Sequence, residues 1–204
     1  MVGVAMACYG ALVSYLAYQT AAVRRESSSR RIVILMTVIV LYGSAGTLLP
    51  HYITTHLVRG FGIASSGMSP VIQPGDRFFV RLQPSKPIRR GDVLLFEVPG
   101  DTTWRYVKRV AGLGGERIRI TGGSVYINSQ RLTLPPFDRI RYTLGGTYAV
   151  DGTPVRIPEN AFFLLGDHSE SSEDSRHFGP VPASDVIGKV YKIYWPIRRA
   201  GPIE

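Results

Sequence analysis

The sequence predicts a mostly β protein, in which an antiparallel, sandwich- or barrel-like domain follows two N-terminal transmembrane helices. Two observations carry this prediction. Two apolar stretches, separated by a basic one, occupy the beginning of the 204-residue chain. After them, short runs rich in β-branched and aromatic residues alternate with turns containing Gly, Pro and Asp, and no long segment has a convincing helical period.

The predicted membrane spans come first in the chain. Residues 1–23 form the first apolar stretch, and residues 32–58 hold the second stretch with its linker. Each stretch approaches the roughly 20 apolar residues that a helix needs to cross a bilayer. No Lys or Arg precedes Arg24, whereas a cleavable signal peptide opens with positive charge. We therefore expect the first stretch to remain as an uncleaved span.

The stretch between the spans, residues 24–31, is basic and carries four arginines against a single glutamate. Because positively charged loops tend to stay on the cytoplasmic side of a membrane, this loop is predicted to be cytoplasmic. The N-terminus and everything after the second span would then lie on the periplasmic or outer side of a bacterial inner (plasma) membrane. Membrane lipid is accordingly a predicted partner.

Composition argues against several other classes of protein. The net charge is +9, but Lys and Arg are spread along the chain and do not cluster with aromatic residues, so no nucleic-acid partner is expected. The only cysteine, Cys8, lies in an apolar segment and is interpreted as a packing residue. No spacing matches a familiar zinc or calcium motif, and we expect neither a metal nor a cofactor. We expect a monomer.

Residues 59–204 are predicted to form the β-rich domain, which is long enough to bury a core. Runs such as DVLLFEV and VIGKVYKIYW are typical of strands, and QPGD, RRGD and TGGS are typical of the turns between them. Extra hairpin-like runs at about residues 121–160 are predicted to form a β-ribbon insert.

Three polar stretches hold the residues suited to chemistry: SSGMSPVIQPGD (65–76), RYVKRVAGLGGE (105–116) and GDHSESSEDSRHFGPVP (166–182). In the second, strand alternation places Lys108 with Tyr106 and Val110 on one face, while Arg109 points away. A buried lysine can act as a base if its pKa falls by about three units from a reference near 10.4. A surface lysine on a half-exposed strand is the alternative, and the alternation pattern alone favours it.

Taken in this order, the three stretches resemble the bacterial type I signal peptidases, the leader peptidases that work with a Ser/Lys dyad. The positions that match the motifs of this family are Ser65, Met68, Pro70, Gly75 and Asp76, then Lys108, Arg109, Gly112, Gly115 and Glu116, then Gly166, Asp167, Ser172, Asp174, Ser175 and Arg176. The chain departs from the motifs at Gly67, Val71, Gly114 and His168.

The resemblance implies roles for the matching polar side chains. Lys108 would be the general base. The hydroxyl of Ser65 would help to form the oxyanion hole, and Ser172 would hydrogen-bond the lysine and orient it. Asp174 and Arg176 would form a supporting ion pair.

The resemblance also implies an activity, namely the removal of N-terminal signal peptides from exported preproteins after small residues in an Ala-x-Ala pattern. The preprotein signal peptide would lie as an added strand along a groove, with its small side chains in shallow apolar pockets. We predict that Ile63 and Met68 contact this substrate.

Gly67 stands where the family has its nucleophilic serine, and glycine has no side chain to attack with. Three hypotheses follow: Ser66 attacks, re-aimed by a glycine bulge; Ser65 attacks; or the chain is inactive and only binds signal-peptide-like segments. We take Ser66 and Lys108 as the predicted dyad, with the backbone N–H of Gly67 in support, because the lysine and its partners in the third stretch are present. A peptidase specialised for pilin or conjugation proteins is a further alternative.

Overall fold

The computed structural model describes residues 13–15, 28–52, 58–82, 87–99 and 101–203. The chain divides into two compact units, residues 1–53 and residues 54–204. In the first unit, helix α1 (Ser28–Tyr52) covers most of the predicted second span and begins within the predicted basic loop. The predicted first span lies outside the described residues except for 13–15. Within the described ranges, no helix combines the length and the apolar character that crossing a membrane requires.

The second unit is built almost entirely from antiparallel strands. The described strands are β1 (Val58–Gly62), β2 (Arg77–Arg81), β3 (Val93–Val98), β4 (Asp101–Gly112), β5 (Arg117–Thr121), β6 (Ser124–Ile127), β7 (Gln130–Arg131), β8 (Val155–Arg156), β9 (Ala161–Leu165), β10 (Val181–Pro182), β11 (Val186–Trp195) and β12 (Gly201–Pro202). A single turn of helix, α2 (Ser175–Phe178), follows β9. The prediction of a mostly β, antiparallel domain is confirmed.

The main sheet has the strand order β1-β2-β11-β3-β4-β9-β10, and β12 pairs with β11. Its central strands are covered on both faces. Along β3, Val93 and Leu95 belong to one buried cluster, whereas Leu94 and Phe96 belong to another. Each such side chain contributes about 1.5–3 kcal/mol when it leaves water completely. Burial on both faces explains why the first four residues of VLLFEV are all apolar, since a strand with no solvent-facing side has no polar alternation.

A second sheet has the order β7-β6-β5-β8 and covers the region in which the sequence predicts a β-ribbon insert. It has a core of its own, but that core also includes residues of the main sheet. Ile118 and Ile120 of β5 pack in one cluster with Phe163 and Leu165 of β9 and with Ala111 of β4. The second sheet is thus joined to the strand that carries Lys108 by a continuous apolar core.

Close contact between strands makes glycine necessary at one position of β11, and a substitution there tests the packing. A Cβ built on Gly188 overlaps the carbonyl oxygen of Arg81 and lies 2.8 Å from Val80 Cγ1. We expect Gly188→Ala to lower the free energy of unfolding of the full chain by about 1–3 kcal/mol, because overpacking forces the strands apart. Thermal unfolding followed by circular dichroism measures the change. Gly201→Ala is the control, since a Cβ there meets nothing within 4 Å; an equal loss in both variants would contradict the prediction.

Candidate active site

The stretch SSGMSP folds as a compact turn directly after β1. The N–H of Ser69 donates to the carbonyl of Ser66 over 2.9 Å, and the N–H of Ile72 donates to the carbonyl of Met68 over 2.9 Å. The hypothesis that a glycine bulge re-aims Ser66 assumes that these residues form a strand, on which a one-residue shift turns a side chain to the opposite face. They form a turn, so that assumption is wrong. Pro70 has no N–H to donate to a ladder, which favours a turn here. The alternation of a strand therefore does not apply to Ser66 and Gly67.

Lys108 lies in the middle of β4 and is only 3% exposed. The alternative of a surface lysine is wrong because β4 lies inside a sheet that is covered on both faces. Leu94 is its register partner on β3, so the lysine shares a face with an apolar neighbour. Burial lowers the pKa of Lys108 from its ordinary value of 10.5, although the nearby Asp174 and Glu173 carboxylates oppose the shift. The neutral amine that a base requires is thereby favoured.

Gly67 directly faces the nitrogen of this lysine. A Cβ built on Gly67 lies 2.9 Å from Lys108 Nζ, 3.3 Å from the carbonyl oxygen of Ser171 and 3.5 Å from the Cα of Ser172. The carbonyl of Gly67 also accepts a hydrogen bond from the N–H of His168 over 3.1 Å. The fold therefore brings the first and third polar stretches together around Lys108, and the lysine points toward the position where the family motif has its serine.

A second glycine permits this approach. A Cβ built on Gly166 overlaps the hydroxyl of Ser172 and lies 2.5 Å from the carbonyl oxygen of Gly67. Any side chain at this position would push the third stretch away from the turn that contains Gly67. Gly166 is needed because the backbone passes close to its neighbours, and not because of an unusual φ angle.

Asp174 organises the third stretch from a fully buried position. Its carboxylate accepts hydrogen bonds from the Ser172 hydroxyl (2.8 Å), the Gly166 N–H (2.9 Å) and Arg176 Nε (2.9 Å). It also caps the N-terminus of α2. The ion pair that the resemblance implied between Asp174 and Arg176 is present, and both side chains are 0% exposed. The resemblance implies that the hydroxyl of Ser172 hydrogen-bonds Lys108. In the structure this hydroxyl donates to Asp174.

A second buried ion pair was missed by the sequence analysis. Arg109, which follows Lys108, was expected only to point away from it. In the structure its guanidinium donates two hydrogen bonds to the carboxylate of Asp167, from Nε to Oδ1 over 2.9 Å and from Nη2 to Oδ2 over 2.7 Å. Both side chains are 1% exposed. Because residues 107–112 of β4 are buried on both faces, the residue next to the lysine also needs a partner, and Asp167 at the start of the third stretch supplies it.

Tyr106 and Glu173 form a further contact that the sequence did not reveal. The Tyr106 hydroxyl donates to Glu173 Oε2 over 3.0 Å. The ring of the same tyrosine has its centroid 5.5 Å from Lys108 Nζ. The exposed Glu173 carboxylate and the buried lysine are thus linked through one aromatic side chain.

The remaining predicted site residues lie at different depths. Ser65 is exposed, and Ser66 and Ile63 are half-buried. Ile63 packs against the cluster that contains Met68. Met68 itself is 0% exposed, so it lies beneath the surface on which a peptide would bind.

Comparisons with known proteins agree with the motifs. The family described as "Signal peptidase, peptidase S26" matches residues 13–195. Signal peptidase I of Leptolyngbya laminosa is 32% identical over 166 residues, which cover 74% of this chain and 75% of that protein. Signal peptidase I of Bacillus caldolyticus is 32% identical over 146 residues, 67% of this chain and 79% of that protein. A crystal structure of a signal peptidase I from Enterococcus faecalis V583 has 30% identity and a TM-score of 0.40, covering 51% of this chain and 97% of that one.

The burial of Lys108 predicts how stability depends on pH. Its folded-state pKa lies below 10.5, so between these two values the unfolded chain binds more protons than the folded one, and the stability of the folded chain rises with pH across that window. We expect Lys108→Met, which removes the buried amine, to raise the melting temperature at neutral pH, by an amount that shrinks as the pH approaches 10.5. The measurement is thermal unfolding of both proteins across this range.

Lys192→Met is the matched control, because Lys192 is an exposed lysine on β11. Its effect on the melting temperature should not follow the same trend. If the difference caused by Lys108→Met did not change with pH, the lowered pKa of Lys108 would be wrong.

Proposed function

The chain belongs to the signal peptidase family, peptidase S26, and on that premise we propose that it is a membrane-bound serine endopeptidase that cleaves N-terminal signal peptides from exported preproteins after small residues. One observation carries the proposal. The nitrogen of the buried Lys108 lies 2.9 Å from the Cβ position of residue 67, which is where a Ser/Lys dyad needs its base.

In the proposed mechanism Ser66 is the nucleophile. Consecutive Cα atoms are about 3.8 Å apart, so the Cα of Ser66 lies within about 8 Å of Lys108 Nζ. The serine hydroxyl and the flexible four-carbon stem of the lysine can close that gap. The half-buried Ser66 is also better shielded from water than the exposed Ser65.

The proposed reaction runs through an acyl-enzyme. Neutral Lys108 takes the proton of the Ser66 hydroxyl, and the oxygen attacks the scissile carbonyl. The lysine then gives the proton to the leaving amine, and a water molecule hydrolyses the ester that remains. The N–H of Gly67 donates to no group of the described residues, which supports a role as an oxyanion donor beside the Ser65 hydroxyl.

The supporting residues act through the lysine. The carboxylate of Asp174 raises the pKa of Lys108 against the effect of burial, and Asp174 in turn holds the hydroxyl of Ser172. Arg176 neutralises Asp174 from within the protein. Burial lowers the pKa of Lys108 and the carboxylate raises it, and this balance sets how readily the lysine accepts and releases a proton.

The substrate would extend the main sheet. In the part of the chain that the structure describes, β1 has a neighbour on one side only, and it leads directly into the turn at Ser66. An extended signal peptide can add to such an edge. Ile63 would line the shallow pocket that selects small side chains, and the buried Met68 would set the depth of that pocket from below.

We also propose attachment to the bacterial inner membrane through the two predicted spans, with the β domain on the periplasmic or outer side. The apolar side chains of Ile32, Ile39 and Leu41 in α1 are each 58% exposed or more. Such a surface is costly in water and favourable in lipid.

The test is cleavage, in detergent, of a preprotein with an Ala-x-Ala site. We expect the unmodified chain to cut and Ser66→Ala to lose at least about a thousandfold in kcat/KM, because no other group supplies the attacking oxygen. Ser69→Ala, in the same turn, is the matched control and should retain cleavage. Adding Gly67→Ser to Ser66→Ala should restore part of the rate, since a hydroxyl at residue 67 would lie beside Lys108.

Two results would contradict this mechanism. Full activity of Ser66→Ala would exclude Ser66 and leave Ser65 as the nucleophile. No cleavage by the unmodified chain, together with cleavage by Gly67→Ser, would mean that the natural chain lacks a nucleophile and acts as a binding protein.

A further inference from the structure

Glu173 differs from the other carboxylates that surround Lys108. Asp167 and Asp174 are buried, and each is committed to an arginine. Glu173 is exposed, and its carboxylate accepts a hydrogen bond from the Tyr106 hydroxyl. It also acts on the buried Lys108 electrostatically, but within the described ranges it has no salt-bridge partner. Its negative charge is therefore open to a ligand.

This charge also lies beside the reacting centre. Glu173 follows Ser172, whose Cα is 3.5 Å from the Cβ position of residue 67. On its other side, Tyr106 connects it to Lys108, with 5.5 Å from the lysine nitrogen to the ring centroid and 3.0 Å from the phenol oxygen to the carboxylate. An extended peptide advances about 3.3 Å per residue, so this carboxylate is within reach of side chains two or three residues from the scissile bond.

The hydrogen bond from Tyr106 holds the carboxylate in place. Tyr106 belongs to β4, and its ring packs against Phe96 and Phe178, with centroid distances of 6.3 Å to each. A carboxylate that is held before binding loses less conformational entropy when it pairs with a ligand.

Building on the proposed function, we propose that Glu173, held by Tyr106, is a specificity-determining residue that selects substrates with a lysine or arginine within about three residues of the scissile bond. A basic side chain at that place pairs with the Glu173 carboxylate at the mouth of the site. A neutral one leaves the carboxylate in water, and an acidic one is repelled.

The test is a series of peptide substrates with one Ala-x-Ala site, in which Lys, Gln or Glu replaces one residue at a time among the three on either side of the scissile bond, omitting the two Ala positions. At low salt we expect the unmodified chain to prefer Lys over Gln by about three- to fivefold in kcat/KM at one position at least, the size of an exposed charge pair. Glu173→Gln should equalise the two, and Glu173→Lys should invert the order in favour of Glu. Tyr106→Phe should weaken the preference.

Glu170→Gln is the matched control, because Glu170 is an exposed carboxylate of the same loop. It removes the same charge and should leave the preference intact. The inference is overturned if Lys is favoured at no position, or if the preference survives in Glu173→Gln.

The experiment distinguishes a failure of the Glu173 inference from a failure of the proposed peptidase function. Cleavage of the Gln peptides without any charge preference would leave the proposed function standing and remove the role of Glu173. If no peptide is cut, the same Lys and Gln peptides are compared in binding by fluorescence anisotropy. Tighter binding of the Lys peptide that disappears in Glu173→Gln supports the inference, and equal binding overturns it.

Discussion

The buried pair of Asp174 and Arg176 is the interaction on which the rest of the site depends. Its carboxylate holds the hydroxyl of Ser172, the backbone of Gly166 and the first turn of α2. The guanidinium extends this order by donating to the hydroxyl of Thr143 and the carbonyl of Ser169. Two charges that have left water are stable only when both are paired and fully hydrogen-bonded. These hydrogen bonds therefore hold the third polar stretch in place beside Lys108.

The second buried pair, Arg109 with Asp167, connects the same stretch to the strand that carries the lysine. Neighbouring residues of β4 point to opposite faces, so one strand presents the amine on one side and the anchoring guanidinium on the other. The Arg109–Asp167 pair explains how the polar stretch 166–182 can lie beside Lys108, which is almost completely buried. Burying the lysine costs stability, and the ion pairs around it hold the loop that covers it.

Gly67 removes the side chain expected beside Lys108 and leaves the surrounding arrangement of the site intact. The buried lysine, the turn and the Asp174–Arg176 ion pair are all in place, and the difference from the family motif is the missing side chain at residue 67. SSGMSP forms a turn, so its side chains do not follow the two-face alternation of a strand. The alternation argument against a neighbouring serine, which holds for a strand, therefore does not hold here. The departure from the family motif at Gly67 therefore affects only which hydroxyl can lie near Lys108. It does not affect the fold of the domain.

The sequence by itself determined the class of the domain, the strand and face of Lys108, and the three stretches that meet at the site. These properties can be read from the sequence because strand alternation, turn residues and each motif are patterns of residues that are close together in the chain. Tertiary structure decided the burial of Lys108 on a strand segment covered from both sides, the pairing of Arg109 with Asp167 and the contact of Tyr106 with Glu173. The last two pairs are separated by 58 and 67 residues along the chain. Only the order of strands in the sheet brings such distant residues together, and no local pattern contains that order.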